Sequence, residues 1–83
     1  MSLLALAVIA SIVSGADEVK LYDVPGDCKQ GMRAEYIARD TILIPGCYMY
    51  FMDKVWISFA DGDALVLKVD AFKWKPGMKP AGA

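Results

Sequence analysis

Two cysteines, Cys28 and Cys47, do most to narrow what this chain can fold into. A chain of 83 residues buries a modest core, and domains of this size commonly depend on a covalent staple. A bond between the two closes a loop of about 20 residues and removes roughly 3 kcal/mol of unfolded-state freedom. That is a large share of the stability a small domain has. The rival reading is two reduced thiols in a cytosolic protein, because disulfide use follows the redox compartment. Zinc does not fit: two cysteines and no histidine cannot supply the usual four ligands. There is no C-x-x-C, so a thioredoxin-like redox site is not indicated.

The segment upstream bears on the compartment. Leu3 to Val13 is an uncharged apolar run. It fits the h-region of a secretory signal, about 7–15 residues long. It falls short of the about 20 apolar residues that a spanning helix needs. Ser14-Gly15-Ala16 places small residues where a signal peptidase cuts, and Asp17-Glu18 follows at once. No Lys or Arg precedes the run, which departs from the usual pattern. Residues 1–16 therefore read as a signal helix cleaved after Ala16. An uncleaved anchor or a buried N-terminal helix is the alternative. Cleavage would leave residues 17–83 as one small domain, periplasmic or secreted.

The absent residues exclude several function classes. Without His the commonest general base is missing, so neither a Ser-His-Asp nor a Cys-His site can be assembled. Thr41 and Ser58 are the only aliphatic hydroxyls after Ala16. Without Asn there is no N-glycosylation sequon. No P-loop or G-x-G-x-x-G is present. Paired carboxylates remain as a catalytic route, and the acids do not cluster convincingly. The sequence points away from an enzyme and calls for no cofactor.

Alternation and turn chemistry predict an all-β domain over residues 17–72. Val19 to Val24 reads as a short edge strand ended by Pro25-Gly26-Asp27. Cys28 to Met32 reads as a tight loop. Arg33 to Arg39 reads as a strand with Ala34, Tyr36 and Ala38 on one face, with a brief helix as the rival. Thr41 to Ile44 is β-branched and apolar, and Pro45-Gly46 signals a turn. Cys47 to Met52 is an aromatic-rich strand joined by Asp53-Lys54 to Val55–Phe59, where Val55, Ile57 and Phe59 share a face. Asp61-Gly62-Asp63 suits a hairpin. Ala64 to Val69 follows with Leu65, Leu67 and Val69 on one side. Such spacing predicts a small antiparallel meander, curled or closed into an SH3-like half barrel that hides its edges.

Residues 73–83 have a different character, with Lys73, Lys75 and Lys79 and no acid. They read as a flexible basic tail. All ten acids lie between Asp17 and Phe72, against six bases. That asymmetry suits contact of the tail with an acidic surface or anionic lipid, with Trp74 as an interfacial anchor or packed back on the sheet. Membrane contact is expected only if the leader stays uncleaved. The acidic domain argues against nucleic acid, whose binding is dominated by phosphate contacts.

The aromatic set Tyr48, Tyr50, Phe51, Trp56 and Phe59 is the best candidate for function. Alternation puts Tyr48 and Tyr50 on one face and Phe51 on the other. A face bearing Tyr48, Tyr50 and Trp56, with Trp74 nearby, suits a protein partner, since Tyr and Trp are enriched at interfaces. A barrel wrapped on both sides would bury it instead. Asp61-Gly62-Asp63 resembles a fragment of a calcium loop but lacks the further oxygen ligands, so it reads as a turn. Arg33, Glu35, Arg39 and Asp40 read as surface ion pairs of little energetic weight.

The order Cys28-x-x-Gly31, Tyr36, Gly46-Cys47-Tyr48, Val55-Trp56-Ile57 and Asp61-Gly62-Asp63 resembles small exported, uncharacterised proteins of bacteria and their phages. These are mostly disulfide, turn and core positions, so the resemblance implies export and fold more than an activity. Periplasmic lysozyme inhibitors share a leader, a cysteine pair and an antiparallel barrel. Their Ser-Gly loop has no counterpart here, because Ser58 is followed by Phe59. The expectation is a small exported binding module with another protein as partner. A structural subunit of an envelope or phage assembly, or a small protein inhibitor, is the alternative.

Overall fold

The computed structural model describes residues 8–39 and 41–80. Its strands are β1 (Val8–Ser14), β2 (Asp17–Tyr22), β3 (Met32–Ala38), β4 (Ile42–Phe51), β5 (Lys54–Phe59), β6 (Ala64–Lys68) and β7 (Lys73–Trp74). A 3-10 turn, Val69–Ala71, joins β6 to β7. All pair antiparallel in one sheet of order β6-β5-β4-β3-β2-β1-β7. The sheet curls until Leu65 and Leu67 of β6 share a cavity of about 290 Å³ with Ile12 of β1 and Val19 of β2. The all-β, half-barrel expectation is thus met.

The alternating strands face as their sequence implies. Val55, Ile57 and Phe59 are all buried, and Val69 joins them while Leu65 and Leu67 pack against that core. After Phe59 the Asp61-Gly62 turn forms as expected. Gly62 takes φ +96°, and the Asp63 amide donates to Asp61 Oδ1 at 3.0 Å. The β4–β5 connection falls one residue earlier than the sequence suggests. Phe51 pairs with Lys54, so Met52 and Asp53 form the turn, with φ of +56° and +68°. Two positive φ values match the twist of a two-residue hairpin, even without glycine.

Three expectations are corrected. Pro45-Gly46 is not a turn but lies inside a ten-residue strand. β4 pairs with β3 from Ile42 to Tyr48 and with β5 from Gly46 to Phe51. Proline lacks a ladder N–H, yet the Pro45 carbonyl accepts from the Ala60 amide at 2.9 Å. Gly46 is required there because a Cβ would stand 2.6 Å from the Ser58 carbonyl oxygen. The second correction concerns the leader. Residues 1–7 of the expected signal helix lie outside the described residues, but Val8–Ser14 form a strand. Ser14 pairs with Asp17 around the two-residue turn Gly15-Ala16, where Gly15 takes φ +62°. Glycine first in a two-residue hairpin turn meets that need at no steric cost. A register shift between Val8 and Ala10 lets consecutive residues, Ile9 and Ala10, both reach the core at 4% and 2% exposure. Strand β2 is therefore interior rather than an edge.

The third correction is the tail. Lys73–Trp74 pair with β1, and the Lys75 amide donates to the Ile9 carbonyl at 2.9 Å. The Trp74 indole donates to the Val69 carbonyl at 2.8 Å, Met78 packs on the core, and Lys79 pairs with Asp70. Residues 73–80 are docked because Trp74 and Met78 bury apolar surface against the half barrel. Residues 81–83 lie outside the described residues.

Candidate functional site

The Cys28–Cys47 bond is formed, with Cα atoms 5.8 Å apart. It ties the loop after β2 to β4. The loop lies over the outer face of β3: the Arg33 amide donates to the Val24 carbonyl at 2.8 Å, and Gly26 sits against the Arg33 side chain. Under it, Glu35 is buried rather than surface-exposed as expected. Its carboxylate accepts from the Tyr22 hydroxyl at 2.6 Å and from Arg33 Nε and Nη2 at 3.1 and 2.6 Å. Burial alone would raise the Glu35 pKa, but the Tyr22 and Arg33 hydrogen bonds outweigh it and hold the carboxyl below its ordinary value. Burial and the Glu35 hydrogen bond push the Tyr22 phenol up to about 12. Tyr22 and Arg33 thus hold the Glu35 carboxylate between the end of β2 and the start of β3, beneath the loop.

The four aromatic candidates separate. Tyr48 and Tyr50 do share a face, with rings edge-to-face at 5.4 Å, but that face is the inner one. Tyr48 is 2% exposed and its hydroxyl donates to the Tyr22 carbonyl at 2.8 Å. Burial raises its pKa strongly. It is a core residue, unavailable to a partner. Tyr50, at the rim, meets Trp74 with the rings tilted at 45° and centroids 6.0 Å apart, and Trp74 in turn meets Phe72. Together they cap one end of the core.

Trp56 is on the opposite, outer face. Cross-strand register puts it directly between Met49 of β4 and Val66 of β6, with Phe51 two residues along β4. Met49, Phe51, Trp56 and Val66 are 52%, 64%, 43% and 45% exposed. The Trp56 indole donates to the Phe51 carbonyl at 3.0 Å, and the two rings stand 6.4 Å apart. Its anchored polar end fixes the ring over the strands, which lowers the entropy lost when something docks on it. Lys54 and Lys68, paired across β5 and β6 next to Phe51, give this apolar face a basic border. Met49 and Val66 escape a reading that follows aromatic residues alone. With the turn at Met52-Asp53, Met49 follows as the partner of Trp56 across the β4–β5 hairpin, and Val66 as its partner across the β5–β6 hairpin.

Among the described residues no helix is long and apolar enough to cross a membrane, and no group of three or more Cys, Asp or Glu gathers as a metal site. Comparison with protein-family models, with curated proteins and with solved structures finds no match to this chain.

Proposed function

We propose that this is an exported, non-catalytic binding module that engages another protein through its outer face at Met49, Phe51, Trp56 and Val66. The observation that carries the reading is that face: Met49, Trp56 and Val66 in one cross-strand register with Phe51 beside them, all exposed and bordered by lysines. Contiguous exposed apolar surface with an anchored tryptophan is characteristic of protein interaction sites. The disulfide is consistent with an oxidising compartment outside the cytosol, and the resemblance to small exported proteins agrees with it. Export would use the apolar run Leu3–Val13, with processing after Ala16.

A photo-crosslinking residue placed at position 51 in the native host should capture a discrete adduct. The double variant Met49→Ser/Trp56→Ser should lose it while keeping the disulfide and its strand spectrum. The reading fails if the adduct survives that variant. A second reading, a subunit of an assembly, draws on one feature: among the described residues β6, of sequence Ala-Leu-Val-Leu-Lys, is an unpaired sheet edge. Sedimentation of the oxidised protein at micromolar concentration separates the two, since only the assembly subunit should self-associate.

A further inference from the structure

The segment read as a leader is also a strand of the fold. In the folded chain β1 is the neighbour of β2 on one side and of β7 on the other. It makes six cross-strand pairs with β2, from Val8 with Tyr22 to Ser14 with Asp17, and two with β7. Processing after Ala16 would remove all of it. The edge of β2 would then present unpaired backbone donors and acceptors, and Val19 and Leu21, at 5% and 0% exposure, would lose the neighbours Ile9, Ala10 and Ile12. Unpaired strand edges recruit strands.

We propose that the β1 position is a strand-acceptor site of the processed protein, filled by an extended apolar segment that a partner protein donates antiparallel to β2. The proposal rests on the export reading above. The native occupant shows the chemistry required. A small residue belongs where Ala10 pairs with the fully buried Leu21, and a branched apolar one where Ile12 pairs with Val19. At the other end Val13, 65% exposed, faces Glu18, and Ser14 faces Asp17. Glu18 has no ion-pair partner among the described residues, whereas Asp17 already accepts from the Tyr36 hydroxyl and the Arg39 amide. A lysine or arginine at that end of the donated strand therefore gains a complementary charge.

The chain's own C-terminal segment is a poor substitute. Pro76 and Pro80 have no N–H, and Gly77 turns the backbone at φ +81°. Only Lys73-Trp74-Lys75 could pair, less than half the length of β1, and Trp74 is already held by the Val69 carbonyl.

The test uses the full chain, exported and recovered without reductant, and begins with its intact mass. The probe is a synthetic peptide spanning Val8 to Ala16 with Val13→Lys, followed by amide exchange. A product starting at Asp17 should bind the peptide at least tenfold more tightly than a scrambled version. It should gain protection along β2, and lose binding when the peptide carries Ala10→Phe. A processed product that is unfolded alone and folds with the peptide also supports the site. Failure of the peptide to bind, or β2 amides already protected without it, overturns the strand-acceptor site and leaves the export reading standing. A product that keeps residues 8–16 overturns both the strand-acceptor site and the processing after Ala16 on which it rests.

Discussion

Opening the Cys28–Cys47 bond offers the most direct test of how this fold is held. Replacing both cysteines by serine removes a crosslink over a sequence separation of 19. The chain-entropy relation gives about 3 kcal/mol for such a loop. A chain this short has a total stability on the order of 4–12 kcal/mol, so the loss is a quarter to three-quarters of it. With a urea slope of about 1 kcal/mol/M, the low end expected for a domain this small, the midpoint should fall by about 3 M. Tryptophan fluorescence during urea titration of oxidised and double-serine protein measures this. A second consequence is local. The loop holds Arg33 through the Val24 carbonyl and Gly26, and Arg33 in turn holds Glu35. The Glu35 carboxyl should therefore titrate closer to its ordinary value in the variant, as read by NMR. A midpoint shift below about 1 M, at unchanged slope, would refute the claim that the bond and the loop over Glu35 stabilise the fold.

Other outcomes follow from single contacts. Because Glu35 is held below its ordinary value, its stabilisation is present above the unfolded carboxylate pKa of about 4.3 and lost as pH falls through the folded value. Urea midpoints from pH 7 to 2 should show this loss, and Glu35→Gln should flatten that part of the curve. Leu21→Ala, at a fully buried position, should cost about 2–5 kcal/mol in the same titration. Gly46→Ala places a Cβ against the Ser58 carbonyl and the Phe59 ring and should cost about 1–3 kcal/mol. Ile9→Ala should destabilise the unprocessed chain by about 2–4 kcal/mol, and thermal melts that show no change would argue that β1 is not integral to it.

Much of this fold is local in origin and therefore readable along the chain. Val55, Ile57 and Phe59 alternate with Trp56 and Ser58, and the buried set is the one that alternation selects. Asp61-Gly62 turns because glycine tolerates positive φ. The aromatic site was only half legible. Alternation places Tyr48 with Tyr50 but cannot say which face of β4 is covered. Placing the turn at Asp53-Lys54 rather than Met52-Asp53 would pair Trp56 with Phe51 instead of Met49, a two-residue shift that keeps each side chain on its face but changes its cross-strand neighbour. Glu35 looks like a surface charge until the disulfide loop covers it.

The sequence by itself determined the all-β class, the cysteine pair and the inward sets of β5 and β6, because period-two patterning and turn chemistry act over a few residues. The tertiary structure alone decided three things. Tyr48 is core while Trp56 is surface. Pro45-Gly46 runs straight through a strand. The apolar leader segment and the basic tail meet as β1 and β7. Each depends on what packs against a strand from a distant part of the chain. For Val8–Ser14 the same apolar residues satisfy an export signal and a buried strand, so only the presence of β2 and β7 beside them distinguishes the two.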